Sequence, residues 1–197
     1  MVIRKSTSSG ALDPNPRFGL PFSHSYYKAA YFLLEEIESR ISIPLAEKPY
    51  ADLLRVLAQS SLLPALFLVR HTIELMLKEV LTLKDIAKEV QKPNARKHHN
   101  FQKLWEELRL AASDDFAEEF KENGVTLSTL LERIQQFIVQ LHSVDERGTT
   151  FRYPEAPEDN RLFPIDIREV RRQLDAMVDF LGELEGAYMA VIDHRNQ

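Results

Sequence analysis

Residues 62–83 form a long segment that is apolar on nearly every side but polar at its centre. Four ionisable residues stand there: Arg70, His71, Glu74 and Lys78. In a helix, at about 100° per residue, all four lie within one arc of about 100°. The same arc is apolar one or two turns away, which is not typical of a face that stays in water. Because a buried charge is costly unless it is paired, the segment predicts a buried helix whose charged site needs partners from elsewhere in the chain or from a ligand.

Helical periodicity dominates the chain after residue 20, and no stretch alternates convincingly with period two. We therefore predict an all-α fold, a single helical bundle of five to seven helices with a long loop before the last helix. Residues 1–20 are rich in Ser, Pro and Gly and are predicted to form a flexible N-terminal arm. Residues 21–197 are predicted to form the helical-bundle domain, because a chain of 197 residues suits one domain.

Two helix starts are predicted from capping residues. Ser23 or Ser25 is expected to cap the first helix, because serine hydroxyls accept hydrogen bonds from free N–H groups at helix starts. Pro64 either kinks one long helix or begins a new one. Ser60 and Ser61 stand just before it as candidate caps, so we favour two helices here.

The last helix is predicted to begin near Asp166 and to reach about Asp193. Its apolar residues keep a heptad pattern, and additional apolar residues widen that face. A long helix of this kind often packs against a symmetry mate. We therefore expect a homodimer formed through the last helix, the first helix or both.

Composition excludes several classes of site. The chain has no cysteine, so disulfides, thiolate zinc sites and cysteine nucleophiles are ruled out. The six histidines show no HExxH pattern, and we predict no metal site and no cofactor. A net charge of −5 gives no general reason to expect an anionic partner. The N-terminal residues lack the apolar core of a signal peptide, and the charges within residues 62–83 argue against a membrane span. We expect a soluble, cytoplasmic protein with no membrane partner.

The segment 145–154 is the second candidate part of the site. It combines Asp145, a glycine hinge, Arg152 and Tyr153. Arg152 beside Tyr153 could clamp an anionic or planar ligand. Alternatively, the loop packs its aromatic residues onto the helices and uses Arg152 to neutralise Glu74. We predict that Glu74 is buried and paired with Arg70 or Arg152, with Tyr153 packed over the same place.

Residues 98 and 99 are adjacent histidines before a predicted helix that contains Trp105. His99 could hold a phosphate or act as a base, and the alternative is a helix cap or surface residue. Glu79, on the opposite side of the same helix from Glu74, is expected to tolerate alanine within about 1 kcal/mol.

Three segments, in chain order, resemble one family. They are LVRHTIELMLKEVL at 68–81, HNFQKLW at 99–105 and DERGTTFRYP at 145–154. Together they resemble the HEPN (higher eukaryote and prokaryote nucleotide-binding) group. The resemblance implies a small helical bundle, often dimeric, that binds nucleotides or RNA or acts as a ribonuclease of toxin and defence systems. The matched positions are Arg70, His71, Glu74, Lys78, His99, Asp145, Arg152 and Tyr153.

The ribonuclease signature of that group is an Arg followed after four to six residues by a His near the last helix. No histidine stands between residues 147 and 172, and the pair Arg17 and His24 lies in the wrong element. No catalytic residue is therefore assigned. Three functions remain open: a binding or regulatory module for a nucleotide or RNA; a structural or interaction protein with an internal ion-pair network; and a metal-independent ribonuclease that uses His71 or His99 as general base and Arg152 to stabilise the phosphate charge.

Overall fold

The computed structural model describes residues 20–41, 51–90, 99–116, 127–145 and 166–197. These residues form five helices and contain no strand, which confirms the predicted all-α bundle. The helices are α1 (Leu20–Ile41), α2 (Ala51–Ala87), α3 (Phe101–Phe116), α4 (Leu127–Val144) and α5 (Ile167–Arg195). The predicted N-terminal arm and most of the predicted long loop, at 1–19 and 146–165, lie outside the described residues.

Helix α2 is the centre of the bundle, and it packs against α1, α3 and α5. Its core residues, such as Val69, Ile73 and Leu77, are fully buried. A helix that is apolar on nearly every side is stable only when neighbours cover it on several sides. The position of α2 therefore follows from the pattern that the sequence shows at residues 62–83.

The prediction of two helices around Pro64 is wrong, because α2 continues from Ala51 to Ala87 with Pro64 inside it. Proline removes one hydrogen bond from the helix and costs about 3 kcal/mol. The exposed Pro64 is followed directly by the buried Ala65 and Leu66. Burial of the apolar residues along α2 offsets the local penalty.

The predicted cap of α1 is also wrong. The helix begins at Leu20, so Ser23 and Ser25 lie inside it. Ser23 is fully buried, and its hydroxyl hydrogen-bonds to the carboxyl of Glu79 on α2. A serine that precedes an apolar run can serve as a partner for another helix as well as a cap.

Two other helix starts have clear caps. The Asn100 side chain accepts a hydrogen bond from the Lys103 N–H at 3.1 Å, which fixes the start of α3. The Asp166 carboxylate accepts from the N–H groups of Arg168 and Glu169, as expected from the predicted start of the last helix. The Asn100 cap therefore fixes the backbone next to His99, which contacts Glu74 of α2.

The heptad face of α5 packs inside the chain. Leu174, Met177, Leu181, Leu184 and Tyr188 are all at most 2% exposed. The helix contacts α2, α1 and α4. The face that suggested a symmetry mate is therefore already covered by this chain's own helices. The homodimer stays a prediction. Among the described residues of α1 and α5, the helices proposed for that interface, the exposed large apolar side chains are Phe32, Ile41 and Val191.

One segment, Ser60–Ala87 of α2, is long and apolar enough to cross a membrane by length and composition. Half of its most apolar stretch is buried within the bundle. The core helix of a soluble protein meets the same criteria, so this observation is weak support for a membrane span.

Pro64→Ala is expected to stabilise the protein by about 1 kcal/mol or more, because alanine restores a backbone donor inside a helix and removes no buried side chain. Denaturant unfolding of the two proteins measures the difference. An unchanged or lower stability would contradict a continuous α2, because proline is favourable at the first position of a helix.

Candidate functional site

The carboxylate of Glu74 is the centre of a buried polar cluster. Its side chain is 2% exposed, although it lies on the central helix of the bundle. Oε2 accepts a hydrogen bond from Arg70 Nη1 at 3.2 Å. Oε1 accepts from Lys78 Nζ at 2.7 Å and lies 2.8 Å from His99 Nδ1. We call Arg70, Glu74, Lys78, His99 and Asp145 the Glu74 cluster.

Arg70 holds the buried side of the cluster. Its side chain is 1% exposed, and Nη2 donates to the backbone carbonyl of His99 at 2.9 Å. Its Nε lies 3.4 Å from Oδ2 of Asp145, a distance that makes an ion pair without an aligned hydrogen bond. The guanidinium carbon also lies 4.9 Å from the centre of the Phe101 ring, within the range of a cation–π contact. Arg70 therefore connects α2 with the start of α3 and the end of α4.

The other two members of the cluster reach the surface. The Lys78 side chain is 22% exposed, and that of His99 is 67% exposed. Glu74 holds one ring nitrogen of His99, and this contact orients the imidazole. Such a histidine can donate a hydrogen bond to a bound anion or transfer a proton to or from it. The cluster therefore has a closed inner part and an accessible outer edge.

Two opposing effects set the charge of Glu74. Burial raises the pKa of its carboxyl, and the hydrogen bonds from Lys78 and His99 lower it. The hydrogen bonds win, so the pKa of Glu74 lies below its ordinary value. The carboxylate stays ionised at neutral pH, and its charge is matched by the cations around it.

His71 does not belong to this cluster. Its ring stacks on Phe67 at 5.5 Å between centroids and meets the edge of Tyr26 from α1 at 4.6 Å. His71 is one residue after Arg70, and a rotation of about 100° is enough to turn it towards a different neighbouring helix. His71 contacts Tyr26 of α1, and its predicted role in a ligand site stays a prediction.

The three segments that carry the family resemblance meet in the Glu74 cluster. Segment 68–81 supplies Arg70, Glu74 and Lys78, segment 99–105 supplies His99, and segment 145–154 supplies Asp145. Arg152 and Tyr153 lie outside the described residues, so their predicted roles stay predictions. Among the described residues, no group of three or more His, Cys, Asp or Glu side chains could hold a metal ion.

Two half-buried carboxyl groups, absent from the predicted site, lie where α1, α2 and α5 meet. Burial raises the pKa of Glu79 to about 7, although the Ser23 hydroxyl lowers it, and the nearby charge of Glu185 raises it further. Burial also raises the pKa of Glu185. The predicted tolerance of alanine at Glu79 stays a prediction, but Glu79 is half-buried against α1 and α5. Helical periodicity could not show this, because Glu79 owes its environment to helices distant in sequence.

Glu74→Ala is expected to destabilise the fold by about 3–5 kcal/mol, because it leaves Arg70 buried with part of its charge uncompensated. Denaturant unfolding measures this loss. Glu35→Ala, at an exposed position on α1, is the control and should change stability by less than about 1 kcal/mol. Equal, mild effects of the two substitutions would show that the Glu74 cluster contributes little to folding.

The raised pKa of Glu79 predicts that its contribution to folding stability depends on pH with the opposite sign to that of a paired carboxylate. Its pKa rises from 4.5 in the unfolded chain to about 7 in the folded protein. The folded state therefore binds the proton more tightly, so stability falls as pH rises between these values and is level above them. Glu79→Gln should remove this fall and stabilise the protein at pH 8 by about 1–2 kcal/mol, after allowance for solvent screening.

The control for this experiment is Glu183→Gln, at an exposed position on α5. Thermal or denaturant unfolding at several pH values between 4 and 8 gives the profile. A profile that Glu79→Gln leaves unchanged would contradict a raised pKa at the half-buried Glu79.

Comparisons with protein-family models, with curated proteins and with solved structures find no match to this chain. The HEPN-like resemblance therefore continues to depend on the three sequence segments alone.

Proposed function

We propose that this protein is a HEPN-like binding or regulatory module that holds a nucleotide or an RNA segment at the outer edge of the Glu74 cluster. His99 and Lys78 are the contacts in this proposal. The observation that carries it is the state of His99, whose side chain is 67% exposed while Nδ1 is held 2.8 Å from a buried carboxylate. An oriented, accessible imidazole beside a lysine suits a phosphate oxygen.

The charge distribution limits how such a ligand would bind. Arg70 is enclosed and contacts Glu74 and Asp145, so it is not accessible to a phosphate. Its role in the proposal is to hold the His99 backbone in place through the 2.9 Å hydrogen bond from Nη2. Two surface contacts predict modest affinity, and a single-stranded ligand with about two phosphate contacts should show a shallow salt dependence.

The test measures binding of a labelled oligoribonucleotide and of ATP as a function of salt concentration. His99→Gln and Lys78→Gln should each weaken binding several-fold, and the slope of log K against log salt should be about −1 to −1.5. Lys103→Gln is the matched control, because Lys103 is an exposed cation in the first turn of α3. An equal effect of Lys103→Gln would indicate general attraction to a basic surface, and absence of binding would refute the proposal.

The second candidate is a structural or interaction protein, and a specific observation favours it. Arg70 and Lys78 are matched by Glu74 and Asp145 within the cluster, and Arg70 makes its contacts inside the chain. An internal ion-pair network needs no ligand. In that case the Glu74 substitution lowers stability, whereas the wild-type protein binds neither probe.

The same experiment with the oligoribonucleotide also tests the ribonuclease alternative. His71 packs between Phe67 and Tyr26, so the accessible His99 is the stronger candidate for a general base. Cleavage of the oligoribonucleotide that disappears in His99→Gln and persists in Lys103→Gln would place this alternative first.

A further inference from the structure

A concave site lies between α3 and α4, apart from the Glu74 cluster. It is an open groove of about 560 Å³, within the usual size range of about 300–1,000 Å³ for small-molecule sites. Seven of its eight lining residues are of polar type, although two packed helices normally bury apolar residues between them. The lining residues are Glu106, Arg109 and Ser113 from α3, and Ser128, Leu131, Glu132, Gln135 and Gln136 from α4.

Arg109 is the informative residue of this groove. It is half-buried, and within the described part of the chain its Nε is enclosed and has no hydrogen-bond acceptor. A buried N–H without an acceptor normally costs free energy and calls for an explanation. The guanidinium has a planar set of donors that matches a carboxylate in a two-bond arrangement.

Glu106 and Glu132 give the same groove two carboxylates on opposite walls. Both are exposed, and neither makes an ion pair with Arg109 in the described structure. The groove therefore contains one cation and two anions side by side. This balance disfavours a phosphate, which carries two negative charges and no positive one.

Gln135 connects the groove with the core. Its Oε1 accepts a hydrogen bond at 2.6 Å from Nε1 of Trp105, the only tryptophan of the chain. Trp105 is fully buried and meets the ring of Phe180 from α5 edge to face. Because the carbonyl end of Gln135 is used by the indole, its amide N–H₂ is available to the groove. A ligand that contacts Gln135 will therefore change the surroundings of Trp105.

We propose that the groove between α3 and α4 binds a small zwitterion, an α-amino acid or a short peptide, with its carboxylate on Arg109 and its ammonium group beside Glu106 or Glu132. The carboxylate pairs with the solvent-accessible part of the half-buried Arg109 side chain, since the enclosed Nε cannot be reached from the groove. The ammonium group offsets one of the two glutamate charges, and the Gln136 amide and the Ser113 hydroxyl can hydrogen-bond to polar side chains of the ligand. This site is independent of the nucleotide or RNA site proposed at the Glu74 cluster.

Trp105 provides a direct readout. The full chain is titrated with individual free L-amino acids at millimolar concentration, and tryptophan fluorescence and melting temperature are recorded. At least one amino acid should change both signals in a saturable manner. Its N-acetyl derivative, which lacks the ammonium charge, and its amide, which lacks the carboxylate, should each bind at least about tenfold more weakly.

Variants test the assignment of each charge. Arg109→Gln should weaken binding of the active amino acid about tenfold or more and leave the melting temperature of the free protein nearly unchanged, since Nε has no partner to lose. Glu132→Gln should weaken binding of the amino acid more than binding of its N-acetyl derivative. Arg133→Gln, at the next and exposed position of α4, is the control and should bind as the wild type does.

Three results would overturn the proposal. The first is that no amino acid changes either signal. The second is that the N-acetyl derivative or inorganic phosphate binds as well as the amino acid, which would show a general anion site. The third is that Arg133→Gln weakens binding as much as Arg109→Gln.

Discussion

The arrangement of this bundle depends on the contacts of one buried, ionised carboxylate, that of Glu74. It accepts from Arg70 on its own helix and from Lys78 one turn later, and it holds His99 at the entry to α3. An unpaired carboxylate in this position would cost several kcal/mol or would take up a proton. Packing alone could bring α2 and α3 together at several registers, whereas the buried charge is satisfied only in one.

At particular residues the local preference for ending or capping a helix conflicts with tertiary packing. The structure follows the packing at each of them. Pro64 should end a helix by its own chemistry, yet α2 continues through it. Ser23 has the chemistry of a cap, yet it is buried against Glu79. Both residues lie on helices whose apolar residues are covered on several sides. The sum of that burial is larger than a single missing hydrogen bond or an unused cap.

The sequence predicts the fold class, the start of α5 near Asp166 and the burial of Glu74 beside Arg70, one of the two partners expected for it. Each of these follows from local periodicity or capping chemistry. The sequence does not show that the His71 ring packs against Tyr26 of α1, because an arc on a helical wheel does not show where the neighbouring helices lie. The Phe101 ring against Arg70 and the hydrogen bond between Trp105 and Gln135 have no local signal. Such contacts depend on the relative placement of whole helices, which a single sequence does not contain.

The wide separation along the chain of the groups around Arg70 has a consequence for the folding reaction. Its contacts outside α2 include His99, two residues before α3, and Asp145, directly after α4. An early pair of α1 and α2 would leave this guanidinium in water, and it becomes enclosed only when the later helices dock. Non-local contacts of this kind make the final assembly step cooperative, since partial docking removes water from the charge before its partners arrive. Arg70 therefore favours an all-or-none transition, with few partly assembled bundles exposed to aggregation.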